Sequence, residues 1–279
     1  MRSAIGGATR LAAVIGSPIS HSLSPVLHNA AFDAAGHDWR MLAFEVGAGG
    51  GAGAVAAMKA LGIGGLSVTT PLKSEIAAAV DDVDRAAAAL SSVNTVVLRD
   101  DGSTFGASTD GIGFVDSLTA SGVSLSGARV VVIGAGAAAR SIVDAIGRAG
   151  VADLAIVNRT AATAHRAAML ADAARVGEPS DIAGADLLVN ATSVGMGSDD
   201  TPVDATLLHA GLVVADVVYH PLTTRLLRDA AAAGSRTIDG LGMLVHQAVH
   251  QQRLWTGTSP DPSMMRAAAE AALAVRSDR

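Results

Sequence analysis

The sequence predicts an α/β protein of two domains, the second of them a doubly wound parallel sheet. Three features lead there. The chain has 279 residues, half of them hydrophobic, enough for about two domains of ~150 residues each. Short apolar runs alternate with longer alanine-rich stretches, the order of strands and helices in an α/β fold. After the valine run at 130–132 the chain passes through glycines at 134 and 136 into a helical stretch, the opening of a dinucleotide-binding unit.

Composition narrows the function. The net charge is −6 with acids and bases interspersed, so no basic face suggests nucleic acid. Aromatic residues make up only 3%, too few for platforms that stack single strands. Cysteine is absent. That removes disulfides and thiolate metal sites, and it fits a reducing compartment. The apolar run after Leu11 stops at Gly16-Ser17-Pro18, too short for a signal segment. Arg140 and Asp144 interrupt the longest apolar candidate for a membrane span. A cytoplasmic protein acting on a small molecule, with no membrane partner, is the expectation.

In chain order, Leu11 to Ile15 reads as a strand. The loop Gly16 to Pro25 follows, dense in hydroxyls, and closes on Ser24-Pro25, a cap-plus-proline helix start. Ser24 is expected to cap that helix, which stops at Gly36; Ser22 has no such local role. Two hydroxyls beside helix-start N–H groups make a carboxylate pocket without any arginine. His21 and His28 read as packed or surface residues. Trp39 to Val46 is the next strand. The glycine-rich stretch Gly47 to Gly53 then leads into a helix, which imitates a dinucleotide loop. The strand after it ends in Thr69-Thr70-Pro71, with nothing to read a ribose, so the stretch is taken as a connection of small residues.

Leu66 to Val68 is a short buried strand. A helix is predicted to start near Pro71, with proline in its first turn and Thr70 as its cap. Lys73 then lies in the first turn. The positive end of the helix dipole disfavours its ammonium form there, which suits a proton-transferring amine. Taken alone, such a lysine reads as a solvated surface residue; its neighbours decide. A short helix covers Asp84 to Leu90, and Val93 to Leu98 is a strand with Asn94 at its start. Arg99-Asp100-Asp101-Gly102 signals a hairpin. Thr109 and Asp110 precede a helix from Phe114 to about Ala120, and Asp110 reads as a helix cap or as a site residue.

The loop Gly122 to Gly127 marks the passage between the domains. With the helix before it, the second domain is taken as 112–240 and the first as 1–111 with 241–279. Arg129 to Ile133 is a buried strand. Gly134-Ala135-Gly136-Ala137-Ala138-Ala139 then turns into a helix, with a second strand, Asp153 to Val157, about 20 residues on. Such glycines let the backbone approach a pyrophosphate at the helix N-terminus. The second strand ends in Asn158-Arg159-Thr160. A carboxylate at that place would select NAD. A guanidinium and a hydroxyl can clasp a 2′-phosphate, so NADP is the expected cofactor. A helix from Ala161 to about Val176 follows. The strand from Asp186 ends in a polar loop, Asn190 to Met196, expected along the dinucleotide. The strand from Val213 ends near Tyr219, the chain's single tyrosine, read as a site residue or a half-buried ring. Thr224 starts a helix, and Thr237 to Asp239 is the last strand. His246 and His250 are spaced like zinc ligands, but Gln247 stands where a base would be needed and no third ligand is evident. No metal site is expected. A last helix runs from Pro262 to Val275.

These motifs together resemble the shikimate/quinate dehydrogenase family, and within it the NADP-dependent shikimate enzymes of aromatic amino acid (chorismate) biosynthesis. The likeness runs through Gly16–Pro25, Ser67–Lys73, Val93-Asn94-Thr95, Ser108–Gly111, the Gly134 loop, Asn158-Arg159-Thr160 and Gly240–Gln247. It implies a Rossmann-type NADP domain beside a substrate domain, with a cleft between them. The implied reaction is reversible, NADPH-dependent reduction of 3-dehydroshikimate to shikimate. Lys73 and Asp110 are then the catalytic pair. Ser22, Ser24 and Tyr219 hold the substrate carboxylate, while Thr69, Asn94, Asp110 and Gln247 meet the ring hydroxyls. Gly134, Ala135, Gly136, Ala137, Ala138 and Ala139 hold the pyrophosphate, Asn158, Arg159 and Thr160 the adenosine phosphate, and Val217, Gly240 and Met243 complete the cofactor set. The resemblance leaves a homodimer open. Ala137 and Ser108 depart from the family's usual Gly and Asn, and Thr163 stands near a place where the family often has a second base, with Arg166 one turn on. The rival is a quinate/shikimate paralogue with broader substrate or NAD use. Those that prefer NAD tend to carry an acid after the second strand, and this chain does not.

Overall fold

The computed structural model describes residues 5–277, in two compact units. The first comprises residues up to Thr109 together with those from Val245 onward; the second runs from Asp110 to Leu244.

The first unit is built on β1 (Arg10–Gly16), β2 (Trp39–Glu45), β3 (Gly65–Val68), β4 (Asp82–Val83), β5 (Thr95–Leu98) and β6 (Thr104–Ala107). They form one mixed sheet in the order β2-β1-β3-β5-β6-β4. β1 pairs parallel to β2 and β3, while β5 runs antiparallel to β3 and to β6. The Arg99–Gly102 turn closes the β5–β6 hairpin, with Gly102 at φ 81°. On one face, Ala13, Ile15, Leu66, Val68 and Val96 pack on Val55 and Met58 of α2 (Gly51–Leu61), Ile76 of α3 (Lys73–Ala79) and Ala87 of α4 (Arg85–Leu90). On the other, Ala12, Trp39 and Met41 meet Phe32 of α1 (Ser24–Ala35) and Trp255.

The second unit carries β7 (Arg129–Ile133), β8 (Asp153–Val157), β9 (Ala174–Val176), β10 (Leu187–Asn190), β11 (Val213–Asp216) and β12 (Arg236–Ile238). All its pairings are parallel, in the order β12-β11-β10-β7-β8-β9. The chain order reverses between β7 and β10, the crevice where such sheets bind dinucleotides. Alternate residues face opposite ways along each strand. Val130 and Val132 pack under α5 (Asp110–Ala120), α6 (Ala137–Arg148) and α7 (Ala161–Ala168), and Val131 and Ile133 under α8 (Arg225–Ala232). Two helices close the chain, α9 (Leu241–Thr256) and α10 (Pro262–Ser277). Among the described residues no helix is long and apolar enough to cross a membrane.

Local structure departs from the expectations in four places. The helix after β8 ends at Ala168, and residues Ala174–Val176 form β9 instead. Alanine favours helix, but pairing with β8 wins, fastened by Arg175 bridging Asp153 and Asp181 at 2.8 Å each. α3 begins at Lys73, not near Pro71. The Thr70–Pro71 peptide is cis and belongs to a turn in which the Leu72 N–H donates to the Thr69 carbonyl (3.0 Å), and no side chain caps the helix. Ser24 is the first residue of α1 and does not cap it, because Leu23 occupies the cap position. Asp110 likewise opens α5, which starts four residues before the expected Phe114.

Candidate active site

In the first unit, the ends of β1 and β3, the start of β5 and the end of β6 meet at one edge of the sheet. This follows from the pairing: β1 and β3 run one way, β5 the other, and β6 returns beside β5. The loops at this edge are stitched together. The Ser17 N–H donates to the Thr70 carbonyl (3.0 Å), the Thr69 N–H to Ile15 (2.9 Å), the Val68 N–H to Asn94 (2.7 Å) and the Val93 N–H to Lys73 (3.0 Å). Thr69, Lys73 and Asn94, named from the sequence, are thereby brought together with the loop leading to Ser22 and Ser24. Ser22 does have a local role: its Oγ accepts the Ser24 N–H at 3.3 Å. That contact uses an acceptor lone pair and leaves the hydroxyl hydrogen to be donated elsewhere.

Asn94 is buried, and its amide has one orientation. The Thr109 N–H donates to Asn94 Oδ1 (2.7 Å), which an N–H can do only to oxygen, so Asn94 Nδ2 faces Thr109 Oγ1 (2.9 Å). Thr95 Oγ1 also donates to Asn94 Oδ1 (3.0 Å). Thr109 is covalently next to Asp110, so the network that fixes Asn94 also fixes the residue before the candidate carboxylate. Gln247 is buried on α9, one turn before Gln251, whose Nε2 donates to Ser67 Oγ (3.1 Å) and to the Asn94 carbonyl (3.2 Å). Ser67, Thr95 and Gln251 were not singled out by sequence reasoning. Gln251 contacts β3 and the residue before β5 from 184 and 157 residues away, and no local pattern signals that.

The second unit holds Asp110, Tyr219 and the cofactor candidates. Gly134 has φ 113°, and a Cβ there would come within 2.9 Å of Thr192 Cγ2 and 3.0 Å of the Ala191 carbonyl. The glycine lets the ends of β7 and β10 close up at the switch point. Gly136 stands at the N-cap of α6 in an extended conformation with no side-chain cap bond, and a Cβ there would meet nothing within 4 Å. The opening amides of α6 thus face open space across an exposed glycine and Ala137. That cradle, positive by its dipole, fits a pyrophosphate.

At the end of β8, Asn158 Nδ2 donates to the Thr160 carbonyl (3.0 Å) and to Thr163 Oγ1 (2.6 Å), and Thr163 Oγ1 donates to the Thr160 carbonyl (2.7 Å). Thr163 is therefore a tie for this loop. Arg159 and Thr160 are exposed, and the Thr160 hydroxyl caps nothing. Gly240 lies on the backbone of Val217 and Val218, where a Cβ would be 2.4 Å from the Val217 carbonyl oxygen; Val217 and Gly240 are neighbours. Met243 is half-buried against the core under β7. Tyr219 is half-buried after β11.

One buried carboxylate was missed. Asp216 ends β11 and accepts from Asn190 Nδ2 (2.9 Å), the Val218 N–H (2.9 Å) and Thr224 Oγ1 (2.7 Å). Burial pushes its carboxyl above the usual range despite those bonds. It ties the end of β10 to the loop that leaves β11. Among the described residues no cluster of His, Asp or Glu could hold a metal ion.

Comparison with known proteins decides the family. A model of the shikimate dehydrogenase substrate-binding domain matches residues 14–96, one of shikimate/quinate 5-dehydrogenase residues 117–194, and one of the shikimate 5′-dehydrogenase C-terminal domain residues 240–270. A Thermococcus kodakarensis protein named shikimate dehydrogenase (NADP(+)) is 45% identical, covering 94% of this chain and 96% of its own. The chain belongs to the shikimate/quinate dehydrogenase family. The oxidoreductase reading, NADP as cofactor and the α/β fold are thus borne out. Within this family, a shikimate dehydrogenase solved in complex with NADP+ has a TM-score of 0.92 at 34% identity, covering 98% of this chain and 99% of its own. The same fold serves a 5-ketofructose reductase of Gluconobacter (TM-score 0.87, 36% identity, 96% and 100% covered). It also serves a quinate dehydrogenase from Corynebacterium glutamicum in complex with NAD (TM-score 0.88, 32% identity, 94% and 99% covered).

Proposed function

We infer that the chain is an NADP-dependent shikimate dehydrogenase, reducing 3-dehydroshikimate to shikimate, with Lys73 and Asp110 as its acid–base pair. The observation that carries this is the edge of the mixed sheet where Thr69, Lys73 and Asn94 converge beside the Ser22–Ser24 loop. NADPH, when bound, supplies a hydride to the ring carbonyl. Charge that builds on the carbonyl oxygen needs a positioned proton donor, and the Lys73 ammonium gives it the proton. The Asp110 carboxylate orients that ammonium and stabilises its charge. Ser22 and Ser24, with Tyr219, take the substrate carboxylate. Thr69, Asn94 and Gln247 take the ring hydroxyls. Residues 134–139 hold the pyrophosphate, Asn158, Arg159 and Thr160 the 2′-phosphate, and Val217, Gly240 and Met243 the rest of the cofactor.

Lys73→Ala is expected to lower kcat by ~10²–10⁴ with shikimate binding near that of the wild type. Turnover within a few-fold of wild type removes Lys73 from the chemistry. Steady-state oxidation of shikimate and of quinate, with NADP and NAD each offered, separates this reading from a quinate-using relative. Shikimate with NADP should be the preferred pair. A homodimer belongs to the same reading. It is supported by the open edge of β2, where Leu42 and Phe44 stand 53% and 43% exposed and unpaired strand edges invite association. A molar mass measured in solution tests it.

A further inference from the structure

Behind the substrate edge of the first unit lies a buried group that the reaction does not use: His28 on α1, and Gln251 and Gln252 on α9. All three are fully buried. His28 Nε2 lies 3.1 Å from Gln251 Oε1, and His28 Nδ1 lies 3.3 Å from Gln252 Oε1. The ring also packs 4.9 Å from the Trp255 ring.

The hydrogens of this group can be assigned by elimination. The Asn94 carbonyl can only accept, so the group of Gln251 that faces it must be the amide NH₂. Gln251 Oε1 therefore points at His28 Nε2, which must carry the hydrogen. Burial holds His28 neutral, with its pKa lowered to about 4, so Nδ1 is bare and can only accept. Gln252 must then turn its NH₂ to Nδ1, in place of the Oε1 that lies 3.3 Å away. The reversal also supplies a partner to Gln252 Nε2, which is otherwise buried without one. The Asn94 carbonyl thus fixes Gln251 and the hydrogen on His28 Nε2, and the neutral ring then fixes Gln252.

We propose that Gln251 is a positioning residue for substrate binding: held from behind by His28, its amide fixes Ser67 and the Asn94 main chain, and so sets where the Asn94 side chain meets the substrate. The inference rests on the reading that Asn94 contacts a substrate hydroxyl. Two independent holds then act on Asn94. Thr109 and Thr95 orient its side chain, and Gln251 anchors its backbone between the ends of β3 and β5. A polar residue at 251 is otherwise costly in a core, because every donor and acceptor must be satisfied.

The test uses the full chain and three variants, each read by KM for shikimate, KM for NADP and kcat. Gln251→Met keeps the length of the side chain and removes its hydrogen bonds. It is expected to raise the shikimate KM about tenfold while the NADP KM stays within about twofold. A purely structural residue would lower Tm and leave that ratio unmoved. Should Gln251→Met fail to fold, Ser67→Ala removes one of the two anchors in a nearly isosteric way, and a selective rise in shikimate KM of about threefold is expected. Asn94→Ala tests the underlying reading. If Asn94→Ala raises the shikimate KM and the folded Gln251 or Ser67 variant does not, the positioning role alone is overturned. If Asn94→Ala leaves that KM unchanged, the reading of Asn94 falls, and this role with it.

Discussion

Two strand-to-helix junctions of this chain are rich in glycine, and they were built for opposite ends. In the first unit, Gly47 to Gly53 leads into α2. Its helix start is occupied from within: Glu75 on α3 accepts the Gly49 N–H with one carboxylate oxygen and the Gly51 N–H with the other, both at 2.9 Å. A Cβ at Gly51 would fall 2.5 Å from that of Glu75. In the second unit, Gly136 leads into α6 and no side chain caps the helix start. A glycine pattern thus shows only that backbone comes close to something. Whether the partner is the protein's own carboxylate or an incoming anion depends on a residue far away in sequence.

The most severe way to break this contrast is to give α6 its own carboxylate. Gly136 has φ −75° and ψ −171°, open to any residue, so Gly136→Asp should fold with α6 better capped by a few tenths of a kcal/mol. NADP affinity should fall at least ~100-fold, since like charges brought together cost several kcal/mol. Unchanged affinity in a titration would place the pyrophosphate elsewhere. A sharper test sits at the end of β8. Arg159→Ala should weaken NADP about 10- to 100-fold, the worth of charge-assisted bonds to phosphate, and change NAD little. Equal losses for both cofactors would remove the phosphate clasp. The smallest effect belongs to the filled junction. The Gly49 and Gly51 N–H bonds hold the Glu75 carboxyl below its ordinary value of 4.5. A lowered folded value means stability that is present above the ordinary value and lost as pH falls through the lowered one. Glu75→Gln should therefore lower Tm modestly at neutral pH. The gap to the wild type should close on acidification, with NADP affinity unchanged throughout. A gap that persists in acid would mean that the carboxylate charge is not what satisfies α2.

Most of the second unit could be read directly from sequence, since its signals are local. A valine run, two glycines and a helix follow one another within twenty residues, and Asn158-Arg159-Thr160 ends the adjacent strand. The rejection of Gly47–Gly53 as a cofactor loop was read from Thr69-Thr70-Pro71, but its physical cause, Glu75, lies 24 residues beyond Gly51. Contacts of that kind are invisible to spacing. The same holds for β9, where pairing with β8 and the Arg175 bridges override helix-favouring alanines, and for Gln251, which reaches Asn94 from the far end of the chain. Ser22 was misjudged for a smaller reason: a hydroxyl two residues before a helix start can bond the next free amide whatever else it does.

The boundary between the compact units falls inside α9, between Leu244 and Val245. Trp255 of that helix donates its indole N–H to the Val96 carbonyl at 3.0 Å and fills the core beside Met41. On a ribosome the earliest-made strands must therefore wait. Translation delivers the whole Asp110–Leu244 unit before it delivers the residues that cover one face of the sheet begun at Arg10. A released chain of residues 1–244 should protect the later-encoded unit from protease and leave the earlier-encoded one open.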